Sequence, residues 1–191
     1  VILSGGAKHR KLEVPGEDAL AGSGVSYCAT CDGAFFRGKE VAVIGGGDVA
    51  VEDALFLARL CKKVYVVHRR DTFRAAKTLV TRLTEAENVE LVYDSVVKEI
   101  QGKFKVESLV LENKKTAEER TIALDGVFIA VGMLPETSAY KGLVELDAAG
   151  YIVADETGIT SDPAVFAAGD IRIKALRQVV TAASDGANAV Q

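Results

Sequence analysis

Cys28-Ala29-Thr30-Cys31, followed at once by Asp32, sets two thiols at the spacing in which one thiolate is stabilised by its neighbour and a disulfide can open and close. Asp32 could give or take the proton that thiol exchange moves, although acids are also common turn residues. Zinc is the rival chemistry. A structural zinc site needs four ligands, and beyond the pair the chain adds only Cys61, His9 and His68, with no second C-x-x-C. Cys61 reads as a packed small hydrophobe and His9 as plain surface.

A second constellation is Gly45-x-Gly47-x-x-Ala50, set between a β-branched run and a helical pattern. In that setting the first glycine allows a tight turn and the second lets a pyrophosphate approach the backbone. Ala50 permits close packing of helix on strand, with the helix N-terminus facing the anion. The alternative is a structural glycine turn in an unrelated α/β protein. Where an NAD site carries an acidic residue at the end of the next strand, this chain has His68, Arg69 and Arg70, with Arg74 one turn on. Guanidinium forks there match a 2′-phosphate and favour NADP over NAD; a solvated basic face is the other reading.

The elements that must position these groups follow from periodicity. Val41–Ile44 reads as a buried strand, and Val51, Ala54, Leu55 and Ala58 recur at helical spacing. Val64–Val67 is a second strand, Ala76, Leu79, Val80 and Leu83 share one helical face, and Val89–Val92 is a third strand. This βαβαβ order implies a parallel sheet covered on both faces. From Ser95 the period becomes two, and Val96–Ile100, Phe104–Leu111 and Thr121–Leu124 predict an antiparallel meander. Val127–Val131 adds a buried strand closed by Gly132–Pro135. The polar, glycine-punctuated stretch from Lys8 to Ser26 reads as a connector between two bodies. Val1–Gly6 and Val165–Ala168 are short strands, and Val179–Val190 is a helix. The tail from Glu136 has too few apolar residues for a core of its own.

Composition bounds the function. The 191 residues are 49% hydrophobic and 26% charged, which excludes a disordered chain, and the net charge of -4 offers no basic field for nucleic acid. No run approaches the length of a membrane span and no signal peptide is visible, so a cytoplasmic protein is expected. Three cysteines do not describe a secreted disulfide scaffold. The only methionine is Met133, so the chain reads as a processed product or a piece of a longer one.

Four segments together resemble the low-molecular-weight, bacterial-type thioredoxin reductases, FAD-containing enzymes that use NADPH. Tyr27–Gly33 (Y-C-A-T-C-D-G) resembles their redox-active site, Val43–Ala50 (V-I-G-G-G-D-V-A) their NADPH loop and His68–Ala75 (H-R-R-D-T-F-R-A) their 2′-phosphate clamp. Phe166–Ile171 with Leu176–Gly186 resembles a segment that contacts FAD. The resemblance implies catalysis by Cys31, which would meet the flavin, Cys28, which would attack the partner disulfide, and Asp32. It implies cofactor contacts from Gly45, Gly46, Gly47, Asp48, Val49, Ala50, His68, Arg69, Arg70, Arg74 and Gly132. On the flavin side it implies Gly169, Asp170, Ile171, Arg177, Gln178 and Val179; no metal ligand is assigned.

The implied fold is α/β: a Rossmann-like NADPH domain, residues 11–135, inserted in an incomplete FAD-type domain made of residues 1–10 and 136–191. The implied function is reduction of thioredoxin or a thioredoxin-like protein by NADPH, in a homodimer, through rotation of one domain against the other about Gly22–Gly24. Two alternatives are the flavoprotein reductase of an alkyl hydroperoxide system and an NADP-binding module without turnover. Because no G-x-G-x-x-G unit precedes Val1, these residues alone are expected to bind NADPH but to retain no FAD.

Overall fold

The β-branched runs at Glu40–Ile44 and Lys63–Val67 are neighbouring parallel strands in the computed structural model, which describes residues 1–190. They belong to a five-stranded sheet in the order Val25–Ser26, Gly126–Ile129, Glu40–Ile44, Lys63–Val67, Val89–Val92, with every pair parallel. Alternate side chains leave opposite faces of a strand, and here both faces are apolar. Val41, Val43, Val64, Val66 and Phe128 meet Ala50, Val51, Ala54 and Leu57 of the helix Asp48–Ala58 and Leu83 of the helix Lys77–Thr84. Ala42, Ile44, Tyr65, Val67, Val127 and Ile129 share a second cluster with Val97, Leu109, Leu111 and Ile122. Those four lie on the antiparallel meander Ser95–Gln101, Ser108–Asn113 and Glu119–Ala123. Helices therefore cover one face of the sheet and the meander covers the other.

The chain divides into two compact units, one running from Lys11 to Val131 and the other made of Val1–Arg10 with the chain from Gly132 onward. In the second, Ile2–Leu3 pairs in parallel with Phe166–Ala167, and Ala7–His9 pairs antiparallel with Met133–Pro135. Residues 132–135 thus side with the outer unit, because that pairing holds them there.

Other expectations are corrected as well. Lys8–Ser26 is no loose connector: Ala7–His9 and Val25–Ser26 are strands, and the buried Glu17 carboxylate accepts the N–H groups of Leu12 and Glu13 and the hydroxyl of Tyr27. Gly22–Gly24 lies inside the Lys11–Val131 unit, where Val106 N–H donates to Ser23, so it is not where the chain passes between units. The second meander strand begins at Ser108, since Phe104 is exposed in the preceding turn. The tail does build a small core, with Val144, Ile152, Val165, Ala167 and Ile171 closing on Leu3. The final helix is Val179–Asn188, and Gln191 lies outside the described residues.

One ion pair anchors the outer unit. Arg172, 2% exposed, grips Asp185, 4% exposed, through Nε (2.9 Å) and Nη2 (2.6 Å). Lys174 Nζ and the Gly169 N–H also donate to the same carboxylate, each at 2.8 Å. Burial pushes the Asp185 carboxyl up, but Arg172, Lys174 and the Gly169 amide outweigh it and hold the group well below the usual carboxylate range. A carboxylate whose folded pKa is depressed contributes stability that is present above about pH 4 and lost as pH falls. Asp185→Asn leaves Lys174 without its counter-charge and Arg172 with only the exposed Glu156 at 3.3 Å, so it should cost about 3–5 kcal/mol at neutral pH. It should also flatten the acid side of the stability profile; urea unfolding from acid to neutral pH checks both effects.

Candidate functional site

Ser26, at the end of a strand, organises the cysteine segment. Its hydroxyl accepts the Cys28 N–H at 3.1 Å and donates to Asp32 Oδ2 at 2.7 Å. Cys28 caps the short helix Ala29–Asp32, its sulfur accepting the Cys31 N–H at 3.2 Å, and Cys28 and Cys31 are joined as a disulfide with Cα atoms 5.3 Å apart. Thr30 Oγ1 lies 3.4 Å from the Cys28 sulfur. Cys31 is exposed and Cys28 half-buried, so the bond is open to attack from outside. Gly33 packs closely behind it, since a Cβ there would stand 3.0 Å from side-chain atoms of both Leu57 and Phe56. The remaining cysteine behaves as the sequence suggests: Cys61 is buried and free, and burial pushes its thiol up to about 11. No group of three or more His, Cys, Asp or Glu side chains among the described residues could hold a metal ion.

The glycine loop ends the Glu40–Ile44 strand and opens the helix Asp48–Ala58. A Cβ on Gly45 would strike the Ala130 carbonyl and come within 2.7 Å of the Ala50 methyl; one on Gly46 would run into the His68 ring. Gly47 faces open space. The loop is therefore walled on one side and free on the other, where the first N–H groups of the helix have no partner in the helix itself. An anion of pyrophosphate type suits that place. Val49 is exposed at this helix end, while Asp48 Oδ1 accepts the Ala76 N–H at 2.8 Å and so ties the two helices together.

Arg69, Arg70 and Arg74 lie near His68, whose ring packs on Gly46 of this loop. Arg74 N–H donates to the Gly46 carbonyl at 2.8 Å, and His68 stacks on Phe73 with ring centroids 5.3 Å apart. His68 is a buried wall behind Gly46, and its ring nitrogen is 3.1 Å from the Thr72 carbonyl. Burial, against the Thr72 contact and with the three arginines, holds its imidazole below the ordinary value. Arg69, Arg70 and Arg74 are all exposed, and among the described residues no ion pair or side-chain hydrogen bond engages their guanidinium groups. Such forks are free to take a phosphate bidentately.

The remaining site residues lie in the outer unit. Gly169, Asp170 and Ile171 form a 3-10 turn pinned by the bond from Gly169 to Asp185. Gln178 caps the helix Val179–Asn188 together with Thr181, and Val179 is 87% exposed. Arg177 lies over the Tyr151 ring at 4.2 Å, and Gly132 is exposed. Asp170 Oδ1 and Arg177 Nε are buried with no hydrogen-bond partner. Orphaned polar atoms of this kind fit a polar ligand that supplies the missing bonds. Sequence reading missed Ser26, Glu17, Arg172 and Asp185. An acid within an otherwise small, apolar helix such as Val179–Asn188 was the available signal, since a carboxylate there needs a cation.

Comparison with known proteins agrees with this geometry. A family model described as pyridine nucleotide-disulphide oxidoreductase matches residues 1–186. The thioredoxin reductase of Treponema pallidum (strain Nichols) is 48% identical over 98% of this chain and 61% of its own length. That of Bacillus subtilis (strain 168) is 47% identical over 100% of this chain and 61% of its own length. The crystal structure of thioredoxin reductase from Streptococcus pyogenes MGAS5005 superposes with a TM-score of 0.91 at 52% identity, covering 99% of this chain and 62% of that one. Thioredoxin reductase from Giardia duodenalis gives 0.90 at 44% identity, covering 98% of this chain and 62% of that one. The chain thus spans about three-fifths of the length of the relatives it matches. With the family match covering both units, the disulfide and the glycine loop, the chain belongs to the pyridine nucleotide-disulphide oxidoreductase family.

Proposed function

We propose that this chain is part of an NADPH-dependent thioredoxin reductase, with Lys11–Val131 as its NADPH-binding domain and the outer unit as part of an FAD-type domain. The observation that carries the reading is the presence, in one unit, of an accessible Cys28–Cys31 disulfide beside Asp32 and a glycine loop ringed by unpaired arginines. The named relatives support it. Gly45, Gly46 and Gly47 admit the pyrophosphate of NADPH, Val49 and Ala50 build the helix end it meets, and Arg69, Arg70 and Arg74 hold the 2′-phosphate. Asp170 and Arg177, aided by Gly169, Ile171, Gln178, Val179 and Gly132, would hold the FAD. Bound there, the flavin would supply two-electron transfer from NADPH to the disulfide.

The chemistry of the protein's own residues is thiol exchange. Two electrons and two protons convert the Cys28–Cys31 disulfide to a dithiol. The Cys28 thiolate attacks the disulfide of thioredoxin, Cys31 closes the bond again, and the partner leaves with both its thiols reduced. Asp32, held by Ser26, is placed to move the proton. Exposed Phe35, in the turn that follows, offers apolar surface for the partner. No helix of the described residues is long and apolar enough to cross a membrane. The reading includes a homodimer working in the cytoplasm.

Two outcomes follow. Arg69→Ala should weaken NADPH binding by about 1.5–3 kcal/mol, the value of a charge-assisted bond, and leave NADH unchanged. Calorimetric titration of both nucleotides decides the matter, and equal wild-type affinities would refute the NADPH assignment. Differential alkylation with mass spectrometry should find Cys28 and Cys31 shifting together between oxidised and reduced protein while Cys61 stays a thiol. A crosslink from Cys61 to either would sink the dithiol reading.

A further inference from the structure

Asp71 directly follows Arg69 and Arg70, so an acid sits inside the basic loop, where it would compete with any phosphate for the two guanidinium groups. It is instead held from a distant part of the chain. Lys115 Nζ lies 3.2 Å from Asp71 Oδ2 and 2.9 Å from Asp94 Oδ2, forming one bridge between both acids. The lysine's backbone is fixed by an Asx turn in which Asn113 Oδ1 accepts the N–H groups of Lys115 at 2.9 Å and Thr116 at 3.1 Å. Asp94 is tied to the same region: its N–H donates to the Arg70 carbonyl at 3.2 Å, and its own carbonyl accepts the Lys114 N–H at 2.6 Å. The hairpin tip of the meander is thereby fastened to the arginine loop.

We propose that Lys115 is a positioning residue for nucleotide specificity: anchored on Asp94, it engages Asp71 and keeps that carboxylate off Arg69 and Arg70, leaving the two guanidinium groups for a 2′-phosphate. The contact satisfies what such a role requires. The acid lies next to the arginines in sequence, yet among the described residues its ion pair is with Lys115 and neither arginine carries one. Asp71 is exposed, and an ordinary carboxylate is ionised at neutral pH, so once released it would repel a phosphate. The role differs from direct phosphate contact because it acts through the acid.

The inference rests on the reading of the arginine loop as a 2′-phosphate clamp, and a double-mutant cycle separates the two. Adenosine 2′,5′-bisphosphate and adenosine 5′-monophosphate are titrated calorimetrically into the 191-residue chain, Lys115→Ala, Asp71→Asn and the double variant. Lys115→Ala should weaken the bisphosphate by about two- to fivefold, the scale of an exposed pair, and leave the monophosphate unchanged. In the Asp71→Asn background the same change should have no effect, and Lys115→Arg should bind as wild type. The loss should also fade as salt is raised past the Debye regime. Equal loss with and without Asp71, or equal loss for both nucleotides, overturns the role of Lys115. A wild type that does not prefer the bisphosphate overturns the clamp itself.

Discussion

The backbone of Gly45 and Gly46 runs through a space with no room for a side chain, and the inner unit is arranged around that restriction. The Ala130 carbonyl and the Ala50 methyl close on Gly45, and the His68 ring closes on Gly46. These three neighbours come from the edge of one strand, the first turn of the following helix and the end of the next strand. The loop can therefore exist only if the parallel register among Glu40–Ile44, Lys63–Val67 and Gly126–Ile129 is correct. A slip of one residue would invert every side chain of a strand between the helical and meander faces. Correct register carries the loop, and the loop in turn aims the N–H groups at the start of the helix Asp48–Ala58 toward open space at Gly47. His68 walls Gly46, and burial, with three guanidinium groups nearby, holds its imidazole below the ordinary value.

The three cysteines divide according to the same logic of surroundings. Cys61 packs with Leu57 and Ala54 in the helix-side core, where burial raises its pKa to about 11 and leaves it almost wholly protonated at neutral pH. Cys28 and Cys31 instead share a helical turn at the surface, with an amide donating to one sulfur and a hydroxyl beside it. Donors of this type stabilise a thiolate. Ser26 joins the Cys28 amide to the Asp32 carboxylate, so the turn, the sulfur and that carboxylate are one hydrogen-bonded group.

How much of this could be read from the sequence depended on how far apart the partners lie along the chain. The strands and helices around Gly45 stand where the periodicity predicts them, and the C-x-x-C pair and the arginine run are likewise local patterns in the sequence. The function of Gly22–Gly24 was misread because glycine content signals a turn but not which unit the turn belongs to; the crossings fall beside Arg10 and Gly132. The tail's core was missed because Leu3, more than a hundred residues upstream, completes it. Lys115 and Asp185 were invisible for the same reason. Their meaning lies in partners 44 and 13 residues away, and a lone charged residue in a sequence does not say what it faces.

The charged residues sort into two kinds, and the difference separates fold from site. Arg172 and Lys174 are matched by Asp185 in a buried group in which cation, carboxylate and backbone amide are all bonded. Such saturation holds a turn in place but leaves nothing for a ligand. Arg69, Arg70 and Arg74 stand exposed without a partner among the described residues, and Asp170 Oδ1 and Arg177 Nε are buried without one. Unpaired charge at a surface is self-repelling, and an orphaned buried polar atom costs about 1–3 kcal/mol, so neither favours the folded state by itself. Each becomes favourable only when a ligand of opposite charge or complementary hydrogen bonding arrives. The saturated group in the outer unit adjoins the orphans there: Asp185 holds Gly169, and Gly169 carries Asp170. In the inner unit Lys115 bridges Asp71 and Asp94, and the neighbouring arginines carry no ion pair among the described residues. In both units, balanced charge stands beside unbalanced groups, and the unbalanced groups are the ones left free for a ligand.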